Sequence, residues 1–374
     1  MRTPLALFSL LAACGSDYEL NPEPVDVDPG DVTECEFSPT ESSGFYEYDC
    51  NPVFTTTGEE WAQSIGSTTF TVAPVLGHAM YQLWYAGVGG DDDFGDYGLG
   101  YAISDNGTDW EPHPANPLLM ESGDSAWDGS NMDALQVVWD PEAEKYVMIY
   151  QGYNLELNTW GLGVAESEDG QSWRRVSDDP VMDFASSSGE QRWCWPLGLT
   201  LSPSGDGGYQ GYIAGSSSGS DKCEVYGIQA YSESSWHPDT APTLPVSEDG
   251  AWDDTGVISV AVAELDGEWY MFYVGFGEWE EHPGETYVTS KHQYLGWARS
   301  TDGLHWEKEA EPIPIHKDTL SGTGEVGSVA AVAVGSRIHL WVTDTYTLEG
   351  QGEVGGVGYF LFDPSRQDDG SEDE

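Results

Sequence analysis

The chain has 374 residues, 39% hydrophobic and 13% aromatic, with 46 Gly and 21 Pro. That is enough for one large or two ordinary domains, in a composition that favours short strands and tight turns over helices. Its 66 Asp and Glu against 12 Lys and Arg give a formal net charge of −54, which excludes nucleic acid as a partner, because such binding rests on Lys and Arg replacing counterions; the acidic surface suits a salty medium, where screening relaxes self-repulsion.

The first segment, "MRTPLALFSLLAACGSD", combines an early Arg2 with an apolar run from Leu5 to Ala13. The run is too short for a permanent membrane span and predicts a secretory signal. Its end, "LAAC" (Leu11 to Cys14), resembles the lipobox of bacterial lipoproteins, which implies cleavage before Cys14 and lipidation of that cysteine. Acyl chains contribute ~0.8 kcal/mol per buried methylene, so several would hold the protein on a membrane. Gly15 after the cysteine favours the outer membrane or cell surface. Residues 15–45, polar and proline-bearing, predict a flexible tether. Beyond Cys14 the cysteines are Cys35, Cys50, Cys194 and Cys223, an even set in an exported chain. Proximity favours Cys35 with Cys50 and Cys194 with Cys223 among the three pairings.

From Tyr46 onward the sequence repeats. The pattern Ser-x-(Asp/Asn)-Gly-x-x-Trp stands at Ser104–Trp110, Ser167–Trp173 and Ser300–Trp306, with a shortened form at Ser232–Trp236. The serines are spaced 167 − 104 = 63, 232 − 167 = 65 and 300 − 232 = 68 residues apart. Each unit holds a small, β-branched strand, an aromatic strand and a Gly-rich strand that runs into the turn. The aromatic strands begin at Tyr81, Tyr146, Tyr209, Trp269 and Ile338. The matching small strands are "TFTVAPVL", "MDALQVVW", "WPLGLTL", "VISVAVA" and "VGSVAAVAV". Period-two aromatics with Asp-Gly turns signal antiparallel strands, and a unit of ~65 residues with about four strands matches a propeller blade. The prediction is an all-β, five-bladed β-propeller over residues 46–364, followed by an acidic tail at 365–374, in a monomer.

Three chemical-looking motifs reduce to scaffold. "GSSSG" (Gly215–Gly219) matches a serine-hydrolase elbow but leads into a strand where the elbow needs a helix. "GTGEVG" (Gly322–Gly327), even with Asp344 near the ribose-binding spacing, also lacks the following helix. The eight histidines show no metal-ligand spacing. No cofactor is expected; calcium is the one ion with a candidate, "GGDDDFGD" (Gly89–Asp96), which lacks the alternating ligands of a calcium loop.

A site belongs where the innermost strands begin, because those loops converge on the axis: "WAQSIGST", "WDGSNMDA", "SSGEQRWCWP", "WDDTGVIS" and "SGTGEVGS" in chain order. Through the Trp-Asp loop, the "Y-x-x-x-Y-x-G" strand and the "Y-A-x-S-x-D-G-x-x-W" turn, the sequence resembles the five-bladed propeller glycosidases, the group of arabinanases, β-xylosidases, levansucrases and invertases. The resemblance implies an oligo- or polysaccharide partner and hydrolysis of an O-glycosyl bond by axial carboxylates: a base on blade 1, an orienting Asp on blade 2 and a proton-donating Glu on blade 3. Here the catalytic candidates are Asp133, Glu190, Asp254 and Glu325, with Arg192, Trp193 and Trp195 as substrate-binding candidates. Blade 1 has no acid between Trp61 and Tyr81, and Gln136 stands where the family places its blade-2 Asp. A non-catalytic surface module for binding or protein interaction is therefore the alternative. Asp128 and Asp253, beside Trp127 and Trp252, are expected to cap turns.

Overall fold

The computed structural model describes residues 35–40, 42, 44–55, 58–72, 81–90, 97–123, 125–154, 156, 159–183, 199–204, 208–216, 222–232, 235–277, 279–281, 288–290, 292–313, 326–348 and 352–367. Five antiparallel sheets carry the described body, and each is one blade of a five-bladed propeller. From the axis outward, blade 1 holds Ser64–Val72, Tyr81–Val88, Tyr97–Ser104 and Glu111–Pro112. Blade 2 holds Asn131–Asp140, Lys145–Asn154, Thr159–Ser167 and Arg174–Arg175, and blade 3 Leu199–Pro203, Tyr209–Gly215, Glu224–Ser232 and Ser235–Pro238. Blade 4 holds Gly256–Leu265, Glu268–Phe276, Tyr294–Ser300 and Glu307–Lys308. Blade 5 holds Val329–Val334, Arg337–Leu348 and Gly352–Phe362.

The outer edge of blade 5 comes from the other end of the chain. Phe45–Tyr48 pairs with Phe362–Phe360 and is itself paired by Phe37–Pro39, while Phe54–Thr55 pairs with Val357–Gly356. Strand pairing thus starts at Phe37, inside the stretch expected as tether. The first inner strand also starts earlier than expected, at Ser64.

Alternation explains why blades form a ring. Successive residues of a strand face opposite sides of its sheet, and here both sides are apolar, so a lone blade would leave one face wet. In the second strand of blade 4, Met271 and Tyr273 pack toward blade 3 while Phe272 and Val274 pack toward blade 5. The buried side chains accordingly form five clusters, one at each seam between neighbouring blades. Each inner strand touches the next, and the fifth touches the first, which closes the ring.

The repeated turn is built from its own polar atoms. In blade 1 the Ser104 hydroxyl accepts from the Gly107 amide (2.8 Å), and Asn106 Oδ1 accepts from the Thr108 and Asp109 amides (2.9 and 2.8 Å). Gly107 sits at φ +82°, a conformation that favours glycine. Ser167, Asp169 and Gly170 repeat the turn in blade 2, and Ser300, Asp302 and Gly303 in blade 4. The turn also ties blades together: its glycine carbonyl accepts from an aromatic on the preceding blade. Trp341 Nε1 donates to Gly107 (3.4 Å), Trp84 Nε1 to Gly170 (2.8 Å), and the Tyr212 hydroxyl to Gly303.

Candidate active site at the start of the inner strands

A kink marks the start of three inner strands. Pairing in blade 1 jumps between Ile65 and Thr68, in blade 4 between Val257 and Ser259, and in blade 2 between Asp133 and Gln136. Such bulges turn side chains off the regular alternation. Ile65, Met132 and Val257 pair with equivalent glycines, Gly87, Gly152 and Gly275, so the next residues, Gly66, Asp133 and Ile258, are equivalent too. Register places Gly327 there in blade 5, two residues before Val329, which pairs with Val342 as Thr68 pairs with Tyr85. Asp133 is the one acid among these four equivalent positions.

Its carboxylate is gripped from the neighbouring blade. Asp133 Oδ1 accepts from the Ser67 amide (2.8 Å) and the Ser67 hydroxyl (2.6 Å), and both side chains are buried. A Cβ at Gly66 would lie 2.7 Å from Asp133 Oδ2, so glycine makes room for the carboxylate. Ser259 and Ser328 hold the position of Ser67 in blades 4 and 5. The Ser259 hydroxyl accepts from the Val329 amide of the next blade (3.2 Å), and Ser328 shares a hydrogen bond with Thr343 (2.8 Å). The Ser259 bond joins blades 4 and 5, the Ser328 bond stays within blade 5, and in blade 1 the serine reaches the next blade through an acid. Tyr97 of blade 1 faces the same place; burial first and the Asp133 charge second push its phenol above the ordinary range, against a hydrogen bond with Asn131.

The other candidates divide. Asp254 serves its own loop, accepting from the Gly250 amide and the Thr255 hydroxyl (3.0 Å). Glu190, Glu325, Arg192, Trp193 and Trp195 lie outside the described residues, as do Cys14, Cys194 and Asp91–Asp96 of the calcium candidate. Cys35 and Cys50 form a disulfide, as expected. Cys223 is disulfide-bonded as well.

Asp128 and Asp253, expected to cap turns, instead hold a tyrosine hydroxyl and a cation each. Asp128 Oδ2 accepts from the Tyr150 hydroxyl (3.0 Å) and from Arg175 Nε (2.9 Å), and Asp253 Oδ2 from the Tyr273 hydroxyl (3.1 Å) and Lys308 Nζ (2.7 Å). Both carboxylates are 1% exposed, which is tolerable because each has a cation. Trp127 stacks on Tyr150 and Trp252 on Tyr273 above them. Each latch ties the outermost strand to the loop that feeds the inner one. In blade 1 the stack survives as Trp61 on Tyr85, but the acid is Ala62 and the cation is Pro112. Acid and base are absent together, as the cost of a lone buried charge requires.

No family model and no curated protein sequence matches the chain. Solved structures match over most of its length. A glycosyl hydrolase from Bacteroides ovatus is 16% identical, covering 89% of this chain and 96% of that one, with a TM-score of 0.56. A structure from work on the GH130 family of mannoside phosphorylases, described as containing glycoside hydrolases that target β-1,2 mannosidic linkages in Candida mannan, is 17% identical (87% and 96% covered, TM-score 0.59). A thermostable family-43 glycoside hydrolase is 14% identical (82% and 91% covered, TM-score 0.56). At these identities the likeness is one of fold.

Sequence reading singled out Asp133 but missed Ser67. The signal was present, since "GS" recurs at the same position in blades 1 and 5; that its hydroxyl reaches across to blade 2 is not written in the period.

Proposed function

We propose that the protein is an exported, lipid-anchored propeller that acts on oligo- or polysaccharide at the mouth where its inner strands begin, as a glycoside hydrolase. The observation that carries this reading is Asp133: a buried carboxylate at an inner-strand start, oriented by two donors from the preceding blade, in a fold shared with glycoside hydrolases over nearly its full length. Glycosidic cleavage needs two carboxyl groups, one donating to the leaving oxygen and one activating water or attacking. In this reading Asp133 is the base or orienting group and Glu190 the proton donor, with Arg192, Trp193 and Trp195 holding the sugar. Asp254 and Glu325 complete the acidic lining.

Reducing-sugar release from arabinan, xylan, fructan and β-1,2-linked mannan tests this. We expect release from one of them, with kcat reduced at least ~100-fold by Asp133→Asn, in line with losing a positioned acid–base group. No release from any of the four would sink hydrolysis. The second reading, a non-catalytic binding module, draws on blade 1, which has no acid between Trp61 and Tyr81. It predicts glycan binding that survives Asp133→Asn. For the anchor, the full-length chain expressed in a bacterial host should partition into a detergent phase and lose that partition in Cys14→Ser; an aqueous wild type would rule it out.

A further inference from the structure

A strap from the first described residues covers the outer edge of the last blade, and a disulfide joins the ends of the strap's own hairpin. The third strand of blade 5 is the last strand of the propeller, and its outer edge is covered by residues 44–55 from the beginning. Phe45, Tyr46 and Glu47 pair with Phe362, Leu361 and Phe360. Asn51 then clamps Tyr359, its Oδ1 accepting from the Tyr359 amide (2.7 Å) and its Nδ2 donating to the Tyr359 carbonyl (3.3 Å). The Val53 amide donates to the Val357 carbonyl (2.8 Å), and Phe54–Thr55 pairs with Val357–Gly356. Phe45 sinks into the seam between blades 4 and 5, against Phe272, Trp297 and Phe362.

These contacts join residues separated by 362 − 45 = 317 positions. The first residues made must wait for the last, and long-range closure is costly in chain entropy before any contact repays it. The paired stretches on the strap are short, three residues and two. What shapes the strap in advance is local: Phe37–Pro39 pairs with Tyr48–Tyr46, and Cys35–Cys50 joins the two ends of that hairpin across 15 residues. The Phe37 ring meets Tyr48 of the hairpin at a tilt and Tyr359 of blade 5 edge-on.

We propose that the Cys35–Cys50 disulfide is the lock of ring closure: with the pair reduced the strap leaves the edge of blade 5 and the ring stays unlatched, and oxidation closes it. Two thiols are oxidised; the S–S bond forms as two S–H bonds break, and two electrons and two protons pass to an external disulfide of the glutathione or thiol–disulfide oxidoreductase class, which becomes two thiols. Closure would then follow export into an oxidising compartment, where such oxidants operate. The inference rests on the strap alone and is independent of any sugar.

Hydrogen exchange read by mass spectrometry on the full chain tests it. In Cys35→Ser/Cys50→Ser, amides in 45–55 and 352–362 should exchange at least ~tenfold faster, while the inner and second strands of blades 2 to 4 stay within about twofold, as local opening of one cooperative unit requires. Cys223→Ser should leave the strap unchanged. Should the double variant not fold, wild type at graded ratios of reduced to oxidised glutathione gives the same readout against the alkylated fraction of Cys35. Unchanged strap exchange in the reduced pair overturns the proposal, and so does equal acceleration in all five blades.

Discussion

Two seams of the ring carry the same polar triad with one residue exchanged. Between blades 1 and 2, Gln82 Nε2 donates to the Tyr101 hydroxyl (2.7 Å) and its Oε1 accepts from the Tyr146 hydroxyl of the next blade (3.0 Å). Between blades 5 and 1 the same positions are His339, Tyr359 and Tyr81: His339 Nδ1 is hydrogen-bonded to the Tyr359 hydroxyl, and Tyr359 to Tyr81. The amide can donate and accept at once without a change of charge, whereas the imidazole can become a cation. The first seam joins blades consecutive in the chain. The second joins the chain's last blade to its first, so the histidine sits at a seam to which Phe54 of the strap also contributes.

Acid should therefore act on the two seams differently. Burial first, and the Arg337 charge second, push His339 down to about 4. Between there and the ordinary value of about 6.5 the unfolded chain holds a proton that the folded chain refuses, so stability rises with pH across this window. It is fully present above about 6.5, falls as pH drops toward 4, and the loss is up to ~3 kcal/mol. Tyr359, Tyr81 and Trp341 wall the ring, and none of these contacts offers a negative charge to pair with an imidazolium. His339→Gln makes this seam resemble the other and should abolish the fall, and Gln82→His should create a second one between blades 1 and 2. Urea unfolding at pH 7, 5.5 and 4.5 checks both; an unchanged pH slope in His339→Gln would dissolve the distinction between the seams.

How much of this stood in the sequence follows from what repeats. The turn was legible because Ser, Asx and Gly each have a local job, and a local job recurs with the blade. Asp133 could be named from the position of its loop. Its partner Ser67 could not, since the contact crosses between blades and depends on a bulge that adds a residue to the strand. The latches at Asp128 and Asp253 were read as turn caps because their cations, Arg175 and Lys308, lie 47 and 55 residues away. The strap was hidden for another reason: Phe37–Pro39 and Phe45–Tyr48 occur outside the repeat, in a polar, proline-bearing stretch, and become strands only because the last blade leaves an edge unpaired.

The smallest difference between the seams lies in their turns. Trp341 reaches the Gly107 carbonyl of a turn built on Asn106, while Trp84 reaches the Gly170 carbonyl of a turn built on Asp169. Asn106 carries no charge to lose. Asp169 accepts from the Gln171 and Ser172 amides (2.8 and 2.6 Å) and from the Ser167 and Ser172 hydroxyls, and although burial opposes them these donors bring it down to about 2. Its contribution is present above the unfolded value near 4 and is lost as pH falls toward 2. Because the side chain is exposed, solvent screening holds that contribution below ~1 kcal/mol. Asp169→Asn should leave stability at pH 7 nearly unchanged and flatten the pH 4 to 2 limb, a window lying below the one His339 governs. If the Asn variant keeps that limb, the donors around Asp169 do not favour its charged form, and the two turns are interchangeable in acid as well as in shape.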